Sequence, residues 1–203
     1  MSFKHVECEQ NSPEWFESRI GKWTASFFAK CLSCTGKVSK SASKVNISLI
    51  EEFKTGERKT FFQSEAMLRG TKMEPEALKW INDNTEYNFV EVGFFDSGKG
   101  YGCSPDAIDF DKKVGLEMKC PVVTTHDKYL IKNILPTKYI SQVQGQLMIS
   151  GYDKWIFMSY HPDREKMIIT VERDEPFINK LREQLEINCE IITKEVDKLP
   201  RDV

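Results

Sequence analysis

The chain has 203 residues, 40% of them hydrophobic and 30% charged, the make-up of one globular domain large enough to bury a core rather than of a disordered or membrane protein. No apolar run approaches the roughly 18 to 20 residues of a membrane span, and the opening "MSFKHVECEQ" has neither the basic nor the apolar region of a secretory signal, so a cytoplasmic location is expected. The formal charge of −2 conceals nine basic residues against three acids between Arg19 and Lys59, which suits a phosphate backbone on one face and equally a solvated lysine-rich surface.

In chain order, "SPEWFESR" opens a helix, with Ser12 as its cap, Pro13 in its first turn and Glu14 near its positive end. "TASFFAKCLS" predicts a second short helix with Thr24 as cap, and the Ser, Lys and Gly content of "SCTGKVSKSASKVN" predicts a mobile or irregular loop. A helical pattern runs from Phe61 to Asn84, with an interruption expected near Gly70. Strands follow in "YNFVEVGFF", "GCSPDAIDF" and "VGLEMKC". "GKGYG" continues into neither a GxGxxG nor a Walker pattern and is not a nucleotide loop. A helix is expected from Pro136 to near Gly151, then a hairpin of "KWIFMSY" and "KMIITVE" across "HPDRE", and a closing amphipathic helix from about Pro176 to Lys198. No internal repeat or domain boundary is visible. The expectation is a single domain over 1–203, with a basic helical and loop region over about 12–60 and a core over about 61–198. Its class is α/β or α+β, a sheet flanked by helices.

The six cysteines, in a chain without an export signal, predict reduced thiols. Cys31 and Cys34 form one CxxC, but no second pair accompanies them to complete a zinc site. His5, His126 and His161 are scattered and form no ligand set.

The chemistry concentrates in "YGCSPDAIDFDKKVGLEMKCP". Side chains alternate along a strand, so Glu117 and Lys119 face one way while Leu116 and Met118 face the other. The "DKK" turn makes "PDAIDF" a hairpin partner that lays Asp106 beside Glu117, with Asp109 and Asp111 left as turn and surface residues. Two adjacent carboxylates repel unless a cation joins them, and Mg²⁺ or Mn²⁺ is the natural choice, with Lys119 orienting or activating a water. An ExK on a strand is more often a plain ion pair. Two helical residues point the same way as the functional reading. Gln144 falls among Ile140, Val143, Leu147 and Met148, with Gln142 and Gln146 pointing elsewhere, so Gln144 is expected to reach a polar site under the sheet. Glu74 shares the side of Ala77, Leu78 and Ile81, whereas Glu76 faces away. The plainer alternative for both is a satisfied buried polar group.

A proline-preceded aspartate followed by an apolar-flanked ExK is the PD-(D/E)xK nuclease signature. With "WFESRIGKWTAS" from Trp15, "RGTKMEPEA" around Glu74, "CSPDAI" at Asp106, "LEMKCP" at Glu117 and "QVQGQLMISG" from Gln142, the sequence resembles the phage lambda exonuclease family of YqaJ-type viral recombinase nucleases. The resemblance implies a restriction-endonuclease-like core, with a central mixed sheet flanked by helices. It implies a Mg²⁺-dependent exonuclease that digests one strand of duplex DNA from its 5′ end and leaves a 3′ single strand for a phage annealing protein. Carried onto this chain, Glu74, Asp106, Glu117 and the Met118 backbone carbonyl would hold two Mg²⁺ ions, with Mn²⁺ as a substitute. Lys119 would position or deprotonate the attacking water, with Gln144 hydrogen-bonding near it. Arg19 and Ser26 would receive the terminal 5′-phosphate, as a planar guanidinium and a neutral donor can. Asp96 matches a further acidic position, and a homotrimeric ring around the DNA is implied by the family. Ala107 stands where glycine is frequent in the family, and the segment from Ser33 to Asn46 has no counterpart in it. The rival readings are an endonuclease built on the same metal site and a non-catalytic DNA-binding module.

Overall fold

The computed structural model describes residues 3–58 and 64–198. Lys59, in the basic stretch, and residues 61–63, at the start of the predicted long helix, lie outside the described residues.

The α/β class is as expected, with the strands divided between two mixed sheets. In the first, β1 (Lys4–Val6) pairs antiparallel with β3 (Phe94–Asp96), β3 pairs antiparallel with β4 (Tyr101–Cys103), and β4 takes β2 (Trp23–Thr24) in parallel. The second is ordered β5 (Ala107–Asp109), β6 (Val114–Lys119), β7 (Lys154–Ser159), β8 (Met167–Glu172), and an isolated bridge from Val90 to Ile108 reaches its edge. β5 and β6 form the predicted hairpin, with Ala107 opposite Leu116, and β7 and β8 form the second. β6 and β7 run parallel. A parallel pair needs a long crossover, here supplied by α4 (Val123–Lys132) and α5 (Ile140–Ser150).

The helical expectations fare unevenly. α1 (Pro13–Ser18) starts where predicted, and Ser12 accepts from the Trp15 backbone N–H. The second short helix is a 3₁₀ segment, Ala25–Lys30, and Thr24 makes no side-chain cap bond to it. The predicted irregular loop ends early, because α2 (Ala42–Thr55) begins inside it. Its buried residues Ala42, Val45, Asn46, Leu49 and Glu52 recur at helical spacing and pack toward α6 (Glu175–Val196). Two of those five are polar, which hid the stripe. α3 (Glu65–Asn84) runs unbroken past Gly70 and even includes Pro75. Among the described residues no helix is long and apolar enough to cross a membrane.

The second sheet separates two apolar clusters. Ile156, Met158, Leu116 and Met118 pack toward Ala77 and Ile81 of α3, while Trp155 and Phe157 pack with Val143 and Leu147 of α5. Glycine at position 145 lets α5 meet the 3₁₀ segment closely, since a Cβ there would overlap the Phe28 ring. Helix α5 is therefore pressed between the sheet and the segment that carries Ser26.

Candidate active site

Asp106 stands just ahead of β5, and its backbone N–H donates to the Leu116 carbonyl at 3.2 Å, which fixes the hairpin end. One carboxylate oxygen of Asp106 accepts from the Met118 backbone N–H at 2.5 Å. A residue within a strand projects its N–H and C=O toward the same edge, so the Met118 carbonyl is turned toward Asp106 as well. On the alternate positions, Lys119 Nζ lies 3.8 Å from Asp106 Oδ2 and in ion-pair contact with Glu117 Oε1. Glu117 is fully buried, whereas the Asp106 and Lys119 side chains keep 20% and 28% of their surface exposed. The predicted trio thus meets with an ammonium set between two carboxylates, and Asp106 is the member that lines the adjoining cleft.

Glu74 comes to this place from α3. It lines a cleft of about 440 Å³ together with Asp106, Met118, Glu91 and the N-terminal segment around Gln10. Glu76 faces out and accepts instead from the Tyr160 hydroxyl at 2.7 Å. Burial, followed by the charge of Glu117, raises the Asp106 pKa well above the usual carboxylate range. Burial raises that of Glu74 too, with Lys119 opposing. Burial works against the Lys119 ammonium, but Glu117 and Asp106 outweigh it and its pKa is raised. Burial is thus the leading cause for both acids, and the neighbouring carboxylates around a single ammonium add to it.

The amides of α5 are placed differently from the expectation. Gln144 is turned away from the site: its Nε2 donates to the Glu172 carbonyl at 2.8 Å and its Oε1 accepts from the Asp174 backbone N–H at 2.9 Å. Gln142 and Gln146 occupy the site instead. Gln142 Nε2 donates to Glu117 Oε1 at 2.6 Å and Gln146 Nε2 to Glu117 Oε2 at 2.7 Å. Residues four apart share a helix face, so the pair addresses one carboxylate together. Helix α5 is buried from Val143 to Ser150, and the apolar stripe could not tell the sheet-facing side from the side toward α6. The spacing of two amides four residues apart was the signal available in the sequence.

Asp96 does not join the cleft. Lys22 Nζ donates to its Oδ2 at 2.7 Å and the Gly98 backbone N–H to its Oδ1 at 2.9 Å, so it closes the turn between β3 and β4. Asp109 is a turn residue as expected but a buried one, accepting from the backbone N–H groups of Asn88 and Lys112.

A second polar cluster adjoins the first. The Arg19 guanidinium is buried and lies 3.5 Å over the Trp15 ring. Its Nε has no hydrogen-bond partner among the described residues. Burial and the neighbouring charge of Arg58 pull its pKa down to about 9, with Glu52 opposing. Arg58 pairs with Glu52 at 3.6 Å, donates to the Arg19 carbonyl, and reaches Thr24 Oγ1 at 3.4 Å, which in turn is 3.3 Å from Ser26 Oγ. Glu52 also accepts from the Gly21 backbone N–H at 3.1 Å. Two arginines therefore lie near one buried carboxylate, which pairs with Arg58, and the segments bearing Arg19 and Ser26 are pinned by the Arg58–Glu52 pair. Ser26 itself is exposed.

The carboxylates suit a hard divalent cation by their chemistry. Among the described residues, however, no three His, Cys, Asp or Glu side chains already stand together as a cage. The Lys119 ammonium stands where two of them would share a cation.

Residues 14–153 match the YqaJ-like viral recombinase domain. The chain belongs to that family. It is similar to the alkaline exonuclease LHK-Exo from Laribacter hongkongensis, at 28% identity and a TM-score of 0.81, over 92% of this chain and 95% of that one. The same enzyme in complex with dAMP gives 28% identity and a TM-score of 0.79, with 92% and 95% covered. A phage-related exonuclease from Haemophilus somnus 129PT shares the fold at 13% identity, with a TM-score of 0.67 over 88% of this chain and 96% of that one. No curated protein matches the chain. The fold is restriction-endonuclease-like, with two mixed sheets flanked by helices.

Proposed function

We propose that this chain is a divalent-metal-dependent exonuclease that digests one strand of duplex DNA from its 5′ end and leaves a 3′ single strand for an annealing protein. The observation that carries the reading is the hairpin that sets Lys119 between Asp106 and Glu117, with Asp106 lining a cleft that Glu74 also lines. Two Mg²⁺ ions, replaceable by Mn²⁺, would supply stabilisation of the attacking and leaving oxygens. Glu74, Asp106, Glu117 and the Met118 carbonyl would hold them, with Gln142 orienting Glu117. Lys119 keeps its proton while two carboxylates grip it. Once those carboxylates are otherwise neutralised, burial acts on the amine alone, and it is free to orient or deprotonate a water at Nζ.

The end specificity of the reading rests on Arg19. A buried guanidinium whose Nε has no partner among the described residues, beside a second arginine, seeks an anion, and a terminal 5′-phosphate meets its planar donors well. Each cut exposes a new 5′-phosphate for the same pocket, and a ring of three copies would keep the duplex threaded. The likeness to an alkaline exonuclease, also solved with dAMP, supports a DNA substrate and exonucleolytic cutting.

The test compares digestion in Mg²⁺ of a linear duplex with 5′-phosphate, the same duplex with 5′-hydroxyl, and a closed circle. The phosphorylated duplex is digested fastest and the circle persists. Rapid cutting of the circle would make the protein an endonuclease and remove the role given to Arg19.

A further inference from the structure

Gln146 has no solvent exposure, and its Nε2 meets Glu117 Oε2 at 2.7 Å while Gln142 Nε2 meets Oε1 at 2.6 Å. Lys119 also contacts Oε1. A carboxylate held at one oxygen can turn about its terminal bond, whereas one held at both oxygens has its plane fixed. Gln142 and Lys119 both act on the same oxygen, so among the described residues Gln146 supplies the second point. The position carries a cost: Gln146 Oε1 is buried without a hydrogen-bond partner among the described residues, and burying an unpaired carbonyl is unfavourable. Volume does not require an amide there, since methionine would fill similar space on a helix packed against the sheet. The bond to Glu117 is what the amide contributes.

We infer that Gln146 is a positioning residue that fixes the carboxylate plane of Glu117 so that it meets a divalent ion in one orientation. The inference rests on the proposed function, in which Glu117 is a ligand. It does not extend to Gln144, the amide two residues earlier, which is bonded to Glu172 and Asp174 instead. Partners that orient a metal ligand typically account for about 10- to 100-fold in metal affinity.

The test is direct Mn²⁺ binding, read by electron paramagnetic resonance of the free ion, for wild type, Gln146→Met, Gln144→Met and Asp106→Asn. Gln146→Met should bind Mn²⁺ about 10- to 100-fold more weakly, while Gln144→Met binds as wild type does even where its melting temperature drops. Equal Mn²⁺ affinity in Gln146→Met and wild type overturns the inference, while loss of binding in Asp106→Asn upholds the parent reading independently. Unaltered binding in Asp106→Asn overturns both. Should Gln146→Met fail to fold, the side-chain amide resonance of Gln146 in the wild-type protein decides. A shift on Ca²⁺ titration over the range in which Ca²⁺ displaces Mn²⁺ supports the role, and an unmoved resonance overturns it.

Discussion

Trp15 Nε1 donates to Ser104 Oγ at 2.9 Å, and through that bond the helix leading to Arg19 is tied to the turn that presents Asp106. The same turn is held from the other side by Gln10, whose Nε2 donates to the Pro105 carbonyl at 2.8 Å and the Val92 carbonyl at 2.9 Å. Since the Arg19 guanidinium lies over the Trp15 ring, one residue touches both the proposed phosphate pocket and the strand end bearing the proposed ligand. Trp15→Phe keeps a ring under Arg19 but removes the N–H. It should narrow the preference for 5′-phosphate over 5′-hydroxyl ends by about 2- to 10-fold, in line with about 0.5–1.5 kcal/mol for one hydrogen bond. Paired digestion rates on the two ends check this, and an unchanged ratio would show that the indole bond only stabilises the fold.

Arg19→Lys tests the pocket itself. Lysine retains charge but not the planar donor fork, so the rate on 5′-phosphorylated ends should fall by about 10²-fold, the scale of losing one aimed donor. The rate on 5′-hydroxyl ends should change little. Equal losses on both ends would place Arg19 in general DNA binding rather than end recognition.

The carboxylates predict a pH dependence of stability with a definite sign. The folded pKa of Asp106 is raised by burial and then by Glu117, and that of Glu74 is raised by burial. Both groups hold protons more tightly folded than unfolded. Their contribution is therefore present below the unfolded carboxylate pKa of roughly 4, and is lost as pH rises through the folded values. In metal-free buffer, the wild type should lose more melting temperature between about pH 4 and pH 8 than Asp106→Asn does. Added Mg²⁺ should raise the melting temperature more at the upper end of that range than at the lower. Parallel melting curves for the two proteins would contradict this.

Gln144→Leu should lower stability by about 1–3 kcal/mol, because the Asp174 N–H and the Glu172 carbonyl lose a buried partner. Its activity at saturating Mg²⁺, measured on the folded fraction, should stay within about twofold of wild type, since no reacting group is touched. Denaturant unfolding alongside digestion rates distinguishes this from a catalytic role.

The hairpin of Asp106, Glu117 and Lys119 was legible in the sequence because strand alternation and a polar turn fix the register, and register fixes which side chains meet. Glu74 was legible for a related reason, a lone acid on an otherwise apolar helix face. Gln144 misled because α5 is buried on nearly all sides, so a polar residue among apolar neighbours has no unique direction in which to point. Helix α2 was missed because Asn46 and Glu52 occupy its buried stripe, and their partners, Trp23 with Asn188 for one and Arg58 with Gly21 for the other, come from distant parts of the chain. Asp96 was singled out only as an acidic position matching the family, and nothing in the local pattern announced that Lys22 would reach it. Such pairings follow from tertiary contacts, which local patterning does not encode.

The central claim is that Asp106, Glu117 and Lys119 form a hydrolytic site at a DNA end. Its most direct test is the time course of mononucleotide release from a 5′-phosphorylated linear duplex in Mg²⁺, for wild type and Lys119→Ala, with DNA binding measured alongside. The account predicts a loss of about 10²- to 10⁴-fold, as for removal of a group that handles the proton of the attacking water, with duplex binding retained. Release at the wild-type rate from Lys119→Ala would contradict it.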